Sequence, residues 1–324
     1  MNRDTDANMQ RATELIIDEW PEVERPTLVI GLSGWMDGGM VSTATLGYLR
    51  ERLAATNIAE IDPMDFYIYH FPAAGTPITV QFDDGHTIVH PLNPMDYAAA
   101  FRPHVTIEDG LITSLDYPAN YFWAAPEAGL ILFSGEEPHI RWGAWCDCIF
   151  ALCDELEITD IYFVGSVASP IPHTREPRVR VSVADEKLLG EIDGVELLPT
   201  TYAGPSSVIT ALSYHSVELG IALRSLVVEI PHYPFLEIVT YPRSIRRMVA
   251  TLDRILGIGL DLSDLDASVE LADMKLKEAV ASSEEFAALV RKLEEAYDVE
   301  EEAAADEDLL RRLIDTVDIE GEND

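Results

Sequence analysis

Basic residues are scarce in this chain: 22 Lys and Arg stand against 58 Asp and Glu in 324 residues, a formal charge of -36. So acidic a surface repels phosphate backbones and anionic lipid, which excludes nucleic acid and a membrane surface as partners. The acid itself is read as a solubility or salt-adaptation trait of the host. Long apolar runs are missing too. No stretch approaches the roughly 18 to 20 apolar residues of a membrane span, and residues 1–24 lack a basic segment followed by an apolar one, so no secretory signal is expected. A cytoplasmic location follows as the expectation. Cysteine is limited to Cys146, Cys148 and Cys153, all within one predicted helix over residues 139–157. On a helix Cys146 and Cys153 share a face two turns apart, too far to bridge, while Cys146 and Cys148 point in different directions. Buried, inert thiols are therefore expected in place of a redox or metal site. No Walker or dinucleotide fingerprint and no His-x-x-x-His spacing occurs, so no cofactor or metal is expected.

Apolar content of 48% with 25% charged residues suits a globular chain with a sizeable core. Its organising stretch is Leu28-Val29-Ile30-Gly31-Leu32-Ser33-Gly34-Trp35-Met36-Asp37-Gly38-Gly39. The run over 28–32 is rich in β-branched residues and ends at glycines, as a buried parallel strand should. Asp37 is placed to cap a helix over 38–55, whose Val41, Leu46, Leu49 and Leu53 fall near helical spacing. The loop between them then lies at the carboxyl end of its strand, where open α/β sheets bind ligands.

Further along, strands are predicted over 65–70, 130–134, 161–166, 178–183, 195–198 and 226–230. Hairpins are predicted around Asp83-Asp84-Gly85, between strands 78–82 and 86–89, and around Asp109-Gly110, between 105–108 and 111–115. Pro170, Pro172 and Pro177 make 168–178 a stiff loop, residues 185–189 read as a helical turn, and a helix is predicted over 205–219 with Gly220 as its stop. Strands alternating with helices predict a mixed, twisted sheet covered by helices on both faces. The organisation expected is an N-terminal arm or short helix over 1–25, an α/β core over 26–258 with a β-rich insertion at about 60–120, a helical appendage over 259–318 and a disordered tail over 319–324.

The appendage is the most acidic part of the chain, with 22 acidic and 6 basic residues over 260–324. Leu265, Val269, Ala272, Leu276 and Val280 form one apolar stripe, and Phe286, Leu289, Leu293 and Tyr297 begin a second. Leu309, Leu310, Leu313, Ile314 and Val317 carry that stripe on. A hairpin folded back on its own domain and a self-association element both fit this pattern.

Chemistry-bearing residues gather after three strands. Pro172-His173-Thr174-Arg175 follows one and Pro231-His232-Tyr233-Pro234 another. If those strands are parallel neighbours, Trp35, Asp37, Ser166, His173, Arg175, Glu229, His232 and Tyr233 meet in one cleft, enough for acid-base chemistry or for holding an anion. The same Pro-His corners equally suit rigid turns whose histidines bond to backbone. Ser33 and Ser166 lack the full Gly-x-Ser-x-Gly elbow, so a serine hydrolase is not expected, and Asp37 would repel a phosphate drawn to the first loop.

The residues Gly34, Trp35, Asp37, Gly38 and Gly39, then Pro172-His173-Thr174-Arg175, Tyr202-Ala203-Gly204-Pro205 and Val228-Glu229-Ile230-Pro231-His232-Tyr233 occur in an order and spacing that resembles the proteasome assembly chaperone 2 family, in its bacterial, actinobacterial branch, over roughly 26–258. The resemblance implies a phosphorylase-like or nucleoside-hydrolase-like α/β core. It also implies a non-enzymatic, homo-oligomeric assembly factor, with a homotrimer preferred and proteasome α-type subunits as partner. The alternative is a small-molecule-binding protein, or a hydrolase- or phosphorylase-like enzyme, working in the cleft. Chaperones of this family are expected to insert a C-terminal hydrophobic-Tyr-x tail into α-ring pockets. Here the last residues are Ile319-Glu320-Gly321-Glu322-Asn323-Asp324, which directs docking away from that route and toward a basic face or the chain's own oligomer.

Overall fold

The computed structural model describes residues 14–70, 78–81, 87–90, 99, 101–190, 197–233 and 240–321. A nine-stranded sheet runs in the order β1-β3-β8-β9-β2-β10-β13-β11-β12. Its centre is four parallel strands, β9 (Leu130–Glu136), β2 (Thr27–Ser33), β10 (Asp160–Ser169) and β13 (Ala222–Pro231). On one flank β8 (Tyr121–Ala125), β3 (Thr56–Ile61) and β1 (Leu15–Ile17) add antiparallel. On the other, β11 (Val179–Val183) is antiparallel to β13 and carries the short β12 (Leu198–Pro199).

The alternation of side chains along β2 divides the core in two. Leu28, Ile30 and Leu32 point to one face, where they pack with Trp145, Ile149 and Leu152 of α2 (Trp142–Glu155) and Val208 and Leu212 of α3 (Val208–Ser216). Val29 faces the other side, toward Val41, Leu46 and Leu49 of α1 (Val41–Arg52) and Met248, Val249 and Leu252 of α4 (Pro242–Leu256). A mixed sheet with helices on both faces is thus the architecture. Gly31 permits the close approach of α1, because a Cβ there would sit 2.3 Å from Leu46 Cδ2. The three cysteines are buried in α2, and burial pushes the thiols of Cys146 and Cys148 up to about 12 and raises that of Cys153 as well, which leaves them protonated and unreactive.

Several elements differ from expectation. Residues 65–70 form no strand. Asp62 caps a 3-10 turn at Pro63–Asp65, and the backbone after it is used by a neighbouring loop: the N–H groups of His139 and Ile140 both donate to Phe66 O. The strand of this region lies earlier, at β3, and β8 had no counterpart in the sequence reading. At the N-terminus Leu15–Ile17 is a strand, not a helix, because β3 offers it an open edge. The first helix starts at Val41 rather than Gly38: Gly39 at φ 61 and Met40 at φ 55 belong to a 3-10 turn, Gly38–Met40, that precedes it. Helix α3 is confined to Val208–Ser216, shorter than 205–219. The hairpin of β4 (Ile78–Gln81) and β5 (Thr87–His90) forms, while its Asp83-Asp84-Gly85 turn lies outside the described residues. The second hairpin joins β6 (His104–Glu108) to β7 (Leu111–Asp116).

After α4 the chain turns at Gly257 and Gly259, both at positive φ, into α5 (Ser263–Ser282) and α6 (Glu284–Gly321). Helix α5 packs beside α4 and α6 beside α5, with Leu276, Ala279 and Val280 of α5 and Phe286, Leu289, Val290 and Leu293 of α6 joining Tyr233 in a small third core. Helix α6 extends to Gly321, so part of the expected disordered tail is helical, and residues 322–324 lie outside the described ones.

Candidate functional site

The carboxyl ends of β2, β10 and β13 deliver the motif residues to one edge of the sheet, and there they fall into separate bonding sets. The first surrounds the loop after β2. Asp37 accepts from Thr43 Oγ1 at 2.8 Å and from the Thr43 N–H at 3.2 Å, so it caps α1 across the intervening 3-10 turn. Burial raises its pKa, and the Thr43 bonds partly offset that. Ser166 is buried, and its hydroxyl donates to Gly38 O at 2.6 Å while its N–H donates to Met36 O. The carboxylate thus serves the first turn of α1 and the hydroxyl the backbone of the loop. Gly38 and Gly39 are required by close approach: a Cβ on the first would meet Ile230 Cδ1 at 2.9 Å and on the second Tyr241 Cδ2 at 2.4 Å. Trp35 stands at the tip of this loop, 62% exposed.

Sequence reasoning missed Glu137, which fixes the loop from the far side. Its carboxylate accepts from the Trp35 N–H at 3.1 Å and from the Val208 N–H at 2.8 Å, tying the Trp35 loop to the N-terminal turn of α3, where a negative charge is favoured. Nothing local in the sequence marks Glu137, since its partners are 102 and 71 residues away.

The second set joins the loop after β10 to α6. His173 is buried; its backbone N–H donates to the Tyr233 hydroxyl at 2.9 Å and its Nδ1 lies 2.6 Å from the same oxygen. Burial lowers the His173 pKa and pushes Tyr233 up to about 12. The imidazole and the phenol thus share one short hydrogen bond, and both rings pack against Phe286 of α6. Arg175 grips Asp298 with two parallel bonds, Nε to Oδ1 at 2.8 Å and Nη2 to Oδ2 at 2.7 Å, and this contact holds the Asp298 carboxyl below its usual range. Thr174 Oγ1 donates to Glu294 at 2.5 Å. Arg178 lies 4.0 Å over the Tyr297 ring and bonds to Glu300 and Glu301 at 2.7 and 2.8 Å. Arg178, Glu294 and Asp298 were not singled out in the sequence, because pairing across about 120 positions leaves no spacing to read.

Glu229 forms the third set: it is buried, Oε1 accepts from Arg180 Nε at 2.7 Å, and Oε2 finds no hydrogen-bond partner among the described residues. His232 is exposed and edges a hollow of about 330 Å³ shared with Pro170, Leu289 and Leu293. Tyr241, His173, Arg243, Leu271 and Lys275 line a larger cleft of about 480 Å³ between the sheet edge and α5. Arg243 is held there by Glu176 at 3.0 Å and by Asp273. The structure therefore brings Asp37 to Ser166 and His173 to Tyr233, whereas the bonds of Asp37 run to Thr43 and those of Arg175 to α6. Among the described residues no cluster of three His, Cys, Asp or Glu side chains is arranged to hold a metal, and no helix is long and apolar enough to cross a membrane.

The family model described as PAC2 family matches residues 31–280. No curated protein sequence matches the chain. Among solved structures, a protein of unknown function from Corynebacterium glutamicum is similar at 22% identity and a TM-score of 0.71, over 90% of this chain and 99% of its own. The Mycobacterium tuberculosis proteasome-assembly chaperone homologue Rv2125 is similar at 22% identity and a TM-score of 0.65, over 82% of this chain and 99% of its own. Pyrococcus furiosus PbaB, an archaeal proteasome activator, is similar at 16% identity and a TM-score of 0.56, over 83% and 99%.

Proposed function

This chain belongs to the PAC2 family, and from that premise we propose that it acts as a homo-oligomeric, proteasome-assembly-chaperone-like protein that binds subunits without catalysing a reaction. The observation that carries the non-catalytic reading is the use of the motif side chains. Asp37 is committed to capping α1 and Ser166 to holding the Gly38 carbonyl of the loop after β2, and His173, Tyr233 and Arg175 to seating α6. Of these groups only His173 and Tyr233 are bonded side chain to side chain, and that pair is buried against Phe286 of α6. The relatives described as a proteasome-assembly chaperone homologue and as a proteasome activator favour a proteasome-related partner, taken here as α-type subunits bound by a cytoplasmic homotrimer. Light scattering coupled to size exclusion, on the protein alone and mixed with the α-type subunit of the same organism, tests this. A mixed complex supports the reading, and an unchanged elution profile overturns it.

The cleft of about 480 Å³ favours a second reading, a small-molecule binder, because it is mainly apolar with His173, Arg243 and Lys275 converging on it. Ligand screening by thermal shift, with Leu271→Trp filling the cleft as control, distinguishes the two. Stabilisation lost in that variant would favour a small-molecule site.

A further inference from the structure

Strands β6 and β7 form a ribbon of their own, separate from the nine-stranded sheet. Their register places Val105 opposite Leu115 and Ile107 opposite Ile112, whereas His104 stands opposite Asp116, Thr106 opposite Ser114 and Glu108 opposite Leu111. A bulge between those pairs adds one residue to β7 at Thr113. Without it Ile112 and Leu115, three positions apart, would point to opposite faces. With it, four aliphatic side chains share one face and the opposite face is mostly polar, closed at its end by the His104–Asp116 contact at 3.6 Å. That aliphatic face is bare: Val105, Ile107, Ile112 and Leu115 are 44%, 59%, 71% and 50% exposed.

An isolated two-stranded ribbon is marginal in water, and a contiguous apolar patch on an otherwise acidic surface marks an interface. We propose that this face is covered by the same face of other copies of the chain, ribbon against ribbon. The charge distribution selects that occupant. Copies that each carry a formal charge of -36 repel one another over most of their surface, and the aliphatic face is a place where they meet without bringing carboxylates together. A basic partner would instead be drawn to the acidic surface. An aliphatic face with no charge or directional bond is also complementary to itself, as copies that meet through the same face require. This inference deepens the homo-oligomer reading above and rests on it.

The test compares two lysine pairs by light scattering at micromolar concentration. Ile107→Lys with Ile112→Lys alters the aliphatic face, and Thr106→Lys with Ser114→Lys places the same charges on the opposite face. Each pair changes the formal charge from -36 to -34, so neither raises the net repulsion between copies, and the two variants differ only in the face on which the lysines stand. The expected result is an oligomer for the wild type and the Thr106/Ser114 variant, and a smaller species for the Ile107/Ile112 variant with its melting temperature unchanged. A monomeric wild type would overturn self-association altogether. An oligomeric wild type whose assembly survives the Ile107/Ile112 change would overturn only the ribbon assignment. Should that variant unfold, Ile112→Cys decides: the native thiols are buried, so the new thiol is the accessible one. Blockage of its labelling in the assembled protein, relieved on dilution, supports the ribbon contact, and equal labelling in both overturns it.

Discussion

The central sheet and the α5–α6 arm are attached to the same molecule by different forces. Around β2 the side chains are aliphatic and aromatic, wholly buried, and packed on both faces by helices. The arm is seated by a small apolar cluster of Tyr233, Phe286 and Val290 ringed by arginine–carboxylate contacts of Arg175 and Arg178 with α6 and of Arg243 with Asp273 of α5. Burial of that kind is indifferent to salt, whereas partly exposed ion pairs weaken with salt and contribute little each. The difference teaches that the arm can loosen under conditions that leave the sheet intact.

The sharpest contrast comes from one aromatic in each region. Trp145→Ala empties the main core and is expected to cost about 4 kcal/mol of global stability, seen as a large fall in the denaturant midpoint. Phe286→Ala is expected to cost about 3 kcal/mol, but in arm docking: proteolysis should speed up between residues 257 and 283 while the denaturant midpoint of the sheet holds. Equal global losses for both variants would show that the arm and the sheet form one cooperative unit.

Arg175→Ala should have a smaller effect, about 1 kcal/mol, because the pair with Asp298 is partly exposed. Its arm should become as protease-sensitive at low salt as the wild-type arm is at high salt. Salt sensitivity that persists unchanged in the variant would remove Arg175 from the account. The smallest effect is the pH dependence. His173 has its pKa lowered from 6.5 by burial, so the seated arm binds fewer protons than the released one. Docking is therefore complete above about pH 6.5 and weakens as pH falls below it. Hydrogen-exchange protection across residues 284–297, taken relative to the intrinsic rate at each pH, should fall between pH 7 and pH 5.5, and His173→Phe should flatten that fall.

Much of the sheet was legible in the residues. The apolar runs over 28–32, 130–134, 161–166 and 226–230 read as buried strands because parallel central strands are apolar on both faces. Strands β1, β3 and β8 escaped: they lie on the flank, where neighbouring edges, and not intrinsic pattern, select strand over helix or loop. At the candidate site the sequence pointed to Asp37, Ser166, His173, Arg175, Glu229 and Tyr233, and the structure places them along one edge of the sheet. What each does was not legible, because Thr43, Glu137, Phe286 and Asp298 are supplied from elsewhere in the chain or by a cap that skips a turn.

Composition and periodicity by themselves determined the acidic character, the α/β alternation, the inert cysteines and the amphipathic helices at the end, since those follow from local chemistry and spacing. Tertiary structure alone decided that the arm's carboxylates meet the arginines after β10 and that a bulge turns Ile112 and Leu115 to one face. Both depend on where distant backbone is placed, and a linear pattern carries no record of distance.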